Sequence, residues 1–214
     1  MNRGLTGAIL TGGSATRLDG AAKGLLEVGG HRIIDRVAAT VAPLVDETVI
    51  VSRTDGPAWI TGTRVITDVL TGGGSAAGVH AALRAVQGPV LVVAWDMPFL
   101  SSGLLSLIVG KSRRGEDGPT SEFDIVVPAG AGVGELEPLC AWYAPSCAAA
   151  IEREWDSGDR SLHGLCGRLR TLVVPREEIL ACGAPERLFF NVNSSADLST
   201  ARAMADDDGA RRTS

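Results

Sequence analysis

Apolar runs alternate with helical patterns from the start of the chain. Residues 5–10 and 48–52 are short apolar runs that predict buried strands, and a shorter strand is predicted at 64–67. Between the first two runs, apolar residues recur at helical spacing over 33–44, which predicts a helix. This order of elements predicts an α/β fold with a mostly parallel sheet.

The most apolar stretch of the chain is Pro-Val-Leu-Val-Val-Ala at residues 89–94. A continuous apolar run of this length predicts a strand buried on both faces, as in a parallel sheet. The rest of the pattern predicts strands at 124–128, 137–143 and 169–174, and helices at 76–86, 145–155, 161–165 and from 196 onward.

A loop of small residues follows the first predicted strand. It reads Leu-Thr-Gly-Gly-Ser-Ala-Thr-Arg at residues 10–17 and continues to Lys23. Glycine allows backbone amides to approach an anion closely, and Arg17 and Lys23 add positive charge. The loop lacks the endings of a P-loop and of a dinucleotide-binding loop. It therefore predicts either a polyphosphate site of another kind or a flexible turn with two solvated cations.

Two further glycine-rich stretches leave alternatives open. Residues 71–75 read Thr-Gly-Gly-Gly-Ser and precede a predicted helix, so they suit an anion site, close packing or a plain connection. Residues 130–135 read Gly-Ala-Gly-Val-Gly-Glu and predict either a mobile loop over a substrate or the tip of a long hairpin.

An acidic residue follows the most apolar strand, in the motif Trp-Asp-Met-Pro-Phe-Leu at residues 95–100. Ligands of open α/β sheets bind at the carboxyl ends of the strands, and Mg²⁺ at phosphate sites takes one or two carboxylates. Asp96 is therefore a candidate Mg²⁺ ligand. Alternatively, it caps the helix that begins near Ser101. Asn191 and Asn193 could supply amide contacts, or the segment could merely cap the last helix.

Length and composition narrow the class of protein. The 214 residues suit one domain over 1–205, followed by a tail at 206–214 that we expect to be disordered. The net charge of -5 argues against a broad nucleic-acid surface, and no apolar run is long enough for a membrane span. The first residues lack a signal-peptide layout, so we expect a cytoplasmic protein.

The cysteine and histidine residues do not form a recognisable metal-binding or catalytic motif. Cys140, Cys147, Cys166 and Cys182 form no Cys-x-x-Cys pair, which argues against a zinc or redox motif and predicts reduced, buried or half-buried thiols. His80 lies in a predicted helix and is expected to be a packing or surface residue.

Taken in order, these motifs resemble the MobA family of nucleotidyltransferases, the molybdenum cofactor guanylyltransferases. The resemblance extends from about Gly7 to Met204. It rests on the first loop with Lys23, on Asp68 with the glycine loop at 72–78, and on the motifs at 95–100, 137–143 and 191–198.

The resemblance implies a three-layer α/β/α, Rossmann-like fold with a mostly parallel sheet. It implies transfer of GMP from GTP to the terminal phosphate of molybdopterin, with Mg²⁺ as cofactor and pyrophosphate as leaving group. Molybdenum-insertion and cofactor-receiving proteins are further implied partners. It implies catalytic roles for Arg17, Lys23 and Asp96, nucleotide contacts from Leu10, Thr11, Gly12, Gly13, Arg17, Lys23, Asp68, Gly78 and Asp96, metal binding by Asp96, and an acceptor side at Asn191 and Asn193.

The chain departs from the family pattern at Asp19, Ala22, Ser75-Ala76 and Trp95. These departures leave two alternatives: a related transferase that uses CTP or a sugar phosphate, and a nucleotide-binding relative without turnover.

Overall fold

The computed structural model describes residues 4–11, 17–18, 21–53, 60–67, 70, 72–86, 88–113 and 122–212. The strands are β1 (Thr6–Leu10), β2 (Arg17–Leu18), β3 (Ala21–Ala22), β4 (Glu27–Val28), β5 (His31–Arg32), β6 (Glu47–Ser52), β7 (Arg64–Thr67), β8 (Val90–Ala94), β9 (Ile125–Pro128), β10 (Cys140–Tyr143) and β11 (Thr171–Val174). The helices are α1 (Ile33–Val41), α2 (Ser75–Ala85), α3 (Ser102–Ser112), α4 (Cys147–Asp156), α5 (Leu162–Arg168), α6 (Arg176–Ile179), α7 (Pro185–Leu188) and α8 (Ser195–Arg212), with 3₁₀ turns η1 (Lys23–Leu25) and η2 (Ala42–Leu44).

Seven strands form the central sheet in the order β11-β9-β10-β8-β1-β6-β7. Strand β10 runs antiparallel to both of its neighbours, and the other pairings in this sheet are parallel. Every residue of β1 and β8 is buried, as their continuous apolar runs predict.

Helices cover both faces of the sheet. One core cluster packs residues of α1, α3 and α8 against the sheet, for example Ile34, Leu105 and Leu198. The other packs residues of α2, α4 and α5, for example Val79, Ile151 and Leu165. The three-layer α/β/α architecture expected from the sequence is therefore confirmed.

Several element boundaries differ from those that the sequence pattern predicts. The helix predicted over 33–44 ends at Val41 and continues as η2, which contains Pro43. Strand β10 begins at Cys140 rather than at residue 137, because residues 137–140 form a turn in which the Cys140 amide donates to the Glu137 carbonyl (2.9 Å). Helix α8 continues to Arg212, so the disordered tail predicted from residue 206 is helical as far as that residue. No proline in this stretch ends the helix.

The cysteine and His80 predictions are confirmed. All four thiols are free; Cys182 is half-buried and the other three are buried. His80 is buried in α2, where its Nε2 lies 2.7 Å from Oε1 of Glu152 on α4, a carboxylate that Arg84 also binds. No helix within the described ranges is both long and apolar enough to cross a membrane.

The buried carboxylate of Asp124 links the starts of β9, β11 and α4. Asp124 receives two hydrogen bonds from the Arg170 guanidinium (2.9 and 3.0 Å) and one from the Ser146 hydroxyl (2.8 Å). The Arg170 side chain holds the pKa of Asp124 below its usual range. This network fixes the start of β9 against the start of β11 and α4.

Asp124→Asn is expected to lower the free energy of unfolding by about 1.5–3 kcal/mol at neutral pH, because it removes charge-assisted hydrogen bonds from a buried site. Since the pKa of Asp124 is lowered by folding, this stabilisation is present above the ordinary carboxyl pKa and is lost as the pH falls through the lowered one. Urea unfolding across this pH range measures both effects. The matched control is Glu47→Gln, which breaks the exposed pair with Arg64 and should cost at most about 1 kcal/mol. Equal losses in the two variants would contradict this account.

Candidate active site

The central parallel strands end together at one edge of the sheet. Strands β1, β6 and β8 are paired so that Leu10 aligns with Val51 and with Ala94. Thr11, the next residue after β1, is buried and donates from its amide (2.9 Å) and its hydroxyl (3.0 Å) to the Val51 carbonyl. The start of the first loop is therefore fixed to the sheet, and its Thr11 hydroxyl is already occupied.

A buried lysine lies at this edge, beside the residues that follow β8. Lys23 is 2% exposed, and its Nζ donates to Oδ1 of Asn193 (2.7 Å). The amide of Val192 donates to the Asp96 carbonyl (2.9 Å), which ties the Asn-Val-Asn segment to the end of β8. The fold thus brings Lys23, Asp96 and Asn193 together from three distant parts of the chain.

The Lys23 charge acts on two carboxylates. Asp96 is half-buried, and this burial raises its pKa although the nearby Lys23 ammonium opposes the shift. The pKa of Asp197 is lowered, first by the Ser194 hydroxyl and also by Lys23. The site therefore holds one buried cation between two carboxylates that differ in environment.

Asp197 and Ser194 close the start of α8. The Asp197 carboxylate accepts from the amides of Asn193 (3.0 Å) and Ser194 (2.8 Å), and the Ser194 hydroxyl accepts from the Asp197 amide (3.1 Å). This reciprocal pair is a capping box. The capping role that the sequence left open thus belongs to Ser194. The side-chain oxygen of Asn193 accepts the hydrogen bond from Lys23 instead.

The hypothesis that Asp96 caps the next helix is wrong. The Ser101 hydroxyl caps α3 by accepting from the Leu104 amide (3.2 Å). Asp96 lies five residues before this cap, so its carboxylate remains available at the strand end.

Trp95 explains one departure from the family pattern. It is 3% exposed, and its ring packs against Gly24 in η1, where an added Cβ would overlap the ring. The bulky Trp95 side chain therefore packs against the turn that carries Lys23.

The second glycine loop leads directly into α2. Gly72, Gly73 and Gly74 all have positive φ angles, a conformation that favours glycine. The Arg160 side chain lies against Gly72, and the Arg53 side chain lies against Gly73. Gly78 packs on Leu10, with 3.0 Å from an added Cβ to the Leu10 Cδ2 atom, so its small size serves helix–strand packing here. A narrow crevice between β1, β6 and α2 is lined by Leu10, Val51, Ser52, Arg53, Gly74, Ser75 and Gly78.

A larger pocket, the hairpin pocket, lies beyond β8. It has a volume of about 530 Å³ and is lined by Ser75, Met97, Asn191, residues 135–139 and residues 160–163. Glu137 is half-buried in its wall, and burial, together with the neighbouring Glu135 carboxylate, raises the pKa of Glu137 to about 7. Asn191 lines this pocket, whereas Asn193 binds Lys23, so the two asparagines serve different parts of the site.

The remaining predicted residues are described only in part or not at all. Gly12, Gly13 and Asp68 lie outside the described residues, as does Asp19. Arg17 pairs with Ala22 in the β2–β3 ribbon, and only its backbone is described. The sequence reasoning gave no role to Asp197, Glu137 or Arg160. For Glu137, the available signal was its place as the first residue of the motif at 137–143.

Comparison with known proteins identifies the family. A family model described as the MobA-like NTP transferase domain matches residues 7–172. The chain belongs to this family. The resemblance inferred from the motifs is confirmed, and the protein is a nucleotidyltransferase.

Relatives and a solved structure cover nearly the whole of this MobA-like NTP transferase. It is 35% identical to a probable molybdenum cofactor guanylyltransferase from Pelotomaculum thermopropionicum, over 94% of this chain and 93% of the relative. It is 31% identical to a molybdenum cofactor guanylyltransferase from Desulfosudis oleivorans, over 93% and 95%. The crystal structure of molybdopterin-guanine dinucleotide biosynthesis protein A from Archaeoglobus fulgidus superimposes with a TM-score of 0.76 at 30% identity, over 94% of this chain and 99% of that one.

Family membership suggests a divalent metal, and the chemistry of the site is compatible with one. Asp96 supplies a carboxylate at the strand end, and hard cations at phosphate sites take one or two carboxylates, with the remaining ligands from substrate oxygens and water. The described residues contain no group of three acidic, histidine or cysteine side chains that could hold a metal ion alone. The described part of the site therefore fits a metal that binds together with a phosphate substrate.

Gly24→Ala is expected to lower the free energy of unfolding by about 1–3 kcal/mol, because the methyl group overlaps the buried Trp95 ring. It should also weaken binding of a nucleoside triphosphate, since η1 carries Lys23. Chemical denaturation and calorimetric titration measure the two effects. The matched control is Gly110→Ala in α3, where an added Cβ meets no atom within 4 Å, so stability should rise by about 0.5–1 kcal/mol. If Gly24→Ala cost as much stability in a Trp95→Leu background as in the parent, the overlap would not be the cause.

Proposed function

We propose that this protein transfers GMP from GTP to the terminal phosphate of molybdopterin and releases pyrophosphate. This reaction is the activity for which relatives of the chain are named. We assign the active site to the edge of the sheet where β1 and β8 end.

The observation that carries this proposal is the buried Lys23 beside Asp96. A cation in a site of low dielectric attracts a phosphate group more strongly than a solvated one does. Asn193 fixes the position of the Lys23 ammonium group through a short hydrogen bond, so the charge is in place before substrate arrives. Preorganised charges of this kind stabilise a transition state without the cost of reorganisation.

The reaction does not need a nucleophile from the protein, because the acceptor phosphate is itself the nucleophile. It needs the two substrates to be held in line with each other. An oxygen of the acceptor's terminal phosphate attacks the α-phosphorus of GTP, a new P–O bond forms, and the bond to the bridging oxygen of pyrophosphate breaks. Lys23 neutralises charge on the reacting phosphates, and the Asp96 side chain would hold the metal, which we propose is Mg²⁺. Bound there, Mg²⁺ would polarise phosphate oxygens and offset the charge of the leaving group.

The two substrates are assigned to opposite sides of Asp96. The GTP phosphates are assigned to the first loop and Lys23, with Leu10, Thr11 and Gly78 on the nucleoside side. The acceptor is assigned to the side of Asn191 and the hairpin pocket. Gly12, Gly13, Arg17 and Asp68 complete the proposed nucleotide site on the basis of the family motif.

Asp96→Asn is expected to reduce pyrophosphate release from GTP by about 10²–10³-fold, because a charged contact to the reacting groups is lost while the side-chain shape is kept. The assay compares GTP, CTP, ATP and UTP, each with Mg²⁺ and molybdopterin. The matched control is Glu47→Gln, at the start of β6 and therefore at the opposite edge of the sheet; it should keep the rate of the parent.

Release that depends on GTP and on Asp96 would support the proposal. Preference for CTP would indicate a cytidylyltransferase instead. Folded protein that binds GTP but releases no pyrophosphate with intact acceptor would indicate a nucleotide-binding relative without turnover.

A further inference from the structure

The hairpin pocket begins directly beside the proposed metal ligand. Met97, which follows Asp96, lines it, and so does Asn191, whose neighbour Val192 bonds to the Asp96 carbonyl. Residues of the turn before β10 line the hairpin pocket, and residues of β1 and β6 line the nucleotide crevice. Ser75, at the start of α2, lines both cavities. A substrate in the hairpin pocket would therefore lie next to a nucleotide in the crevice.

Glu137 is held in the wall of this pocket by a well-anchored turn. Its amide donates to the Pro128 carbonyl (3.0 Å), and its carbonyl accepts from the Cys140 amide (2.9 Å). Close behind it, Gly130 leaves room for the carboxyl: an added Cβ there would lie 3.3 Å from the Glu137 Oε1 atom. The chain thus fixes the backbone that presents this side chain.

The Glu137 carboxyl group receives no hydrogen bond from the part of the chain that the structure describes, although other charged groups of the pocket have partners. Glu135 is exposed and accepts from the Gly132 amide (2.9 Å). The Arg160 guanidinium stacks on the Trp155 ring (4.5 Å to its centroid), and His163 Nε2 lies 3.2 Å from the Leu136 carbonyl. A half-buried carboxylate with unused acceptors favours a ligand that brings donors to it.

The shape of the pocket and the charge of Glu137 together indicate a class of ligand. Apolar side chains in its lining, among them the half-buried Leu136 and Leu139, offer surfaces for a flat ring. A carboxylate accepts two parallel N–H bonds best when the donors are adjacent on one edge. The pyrimidine ring of a pterin has such an edge, formed by its 2-amino group and the neighbouring ring N–H.

We propose that Glu137 is a specificity-determining residue that binds the 2-amino-pyrimidinone edge of a pterin acceptor in the hairpin pocket. This inference rests on the proposed function, because the pterin is its acceptor. Guanine presents the same pair of donors, but the nucleotide is assigned to the other side of Asp96. The negative charge of Glu135 and Glu137 also disfavours a phosphate at this end of the pocket, so the heterocycle enters and the phosphate stays near Asp96.

The test compares a free pterin with lumazine, which carries an oxygen in place of the 2-amino group. Binding of each is measured by ligand fluorescence to the parent, to Glu137→Gln and to Glu135→Gln. We expect the parent and Glu135→Gln to prefer the pterin by tenfold or more, and Glu137→Gln to lose most of this preference. The glutamine side chain has one oxygen and one NH₂ donor, so it cannot accept two parallel N–H bonds. Thermal unfolding checks that Glu137→Gln folds as the parent does.

Three results would overturn the inference. The first is equal affinity of the parent for pterin and lumazine, and the second is an undiminished pterin preference in Glu137→Gln. The third is loss of GTP affinity in Glu137→Gln with pterin binding intact, which would assign the carboxylate to guanine. The nucleotide assay tests the proposed function separately. Discrimination of pterin from lumazine without pyrophosphate release would support the pterin site while contradicting the transferase activity.

Pterin binding is also expected to depend on pH through Glu137. Burial and Glu135 raise the pKa of Glu137 to about 7, and the ionised form is the one that accepts two donors. Affinity should therefore weaken as the pH falls below about 7, approaching tenfold per unit. Titrations at several pH values should show this dependence in the parent and in His163→Gln, but not in Glu137→Gln. If Glu137→Gln kept the pH dependence, the dependence would belong to another group. The other charged or titratable groups that line the pocket are Glu135, Arg160 and His163.

Discussion

The site depends on keeping a buried ammonium group charged and in place. Removing a charge from water costs several kcal/mol unless polar partners replace the solvent. For Lys23 the hydrogen-bond partner is the Asn193 amide oxygen, and the Asp96 and Asp197 carboxylates add favourable charge. These groups lie on two segments, 95–100 and 191–198, that the fold brings to Lys23. The capping box at Ser194, the hydrogen bond from Val192 to Asp96 and the packing of Trp95 on Gly24 all position those segments. Structural details that look unrelated in the sequence therefore serve one electrostatic requirement.

Elements with a strong periodic signal could be predicted from the sequence almost to the residue. The runs at 5–10 and 89–94 became β1 and β8 because burial on both faces leaves only apolar residues. Helices α6 and α7 were missed because four residues are too few to show a helical period. The two short ribbons, β2–β3 and β4–β5, have two residues in each strand and were missed for the same reason.

The site could be predicted only where a motif marks it. Lys23 and Asp96 stand in recognisable loops, but the bond from Lys23 to Asn193 joins residues 170 positions apart, and no spacing rule gives such a contact. The position of the Trp95 ring could not be predicted, because it packs against Gly24 of η1, a contact that only the fold creates. The motif at 137–143 marks Glu137, but the burial of its side chain and the effect of Glu135 on its pKa require the folded hairpin.

The arrangement of charge also bears on how two anionic substrates meet on an acidic protein. With a net charge of -5, the protein as a whole repels phosphates, so attraction has to come from cations close to the reacting groups. Lys23 provides it at the strand ends, whereas Glu135 and Glu137 add negative charge to the wall of the hairpin pocket, which Arg160 also lines. In our proposal, a molecule with an anionic phosphate at one end and N–H donors at the other places the phosphate beside Lys23 and the donors at Glu137. The Glu137 carboxylate, which would repel a phosphate, is then the group that binds the heterocycle.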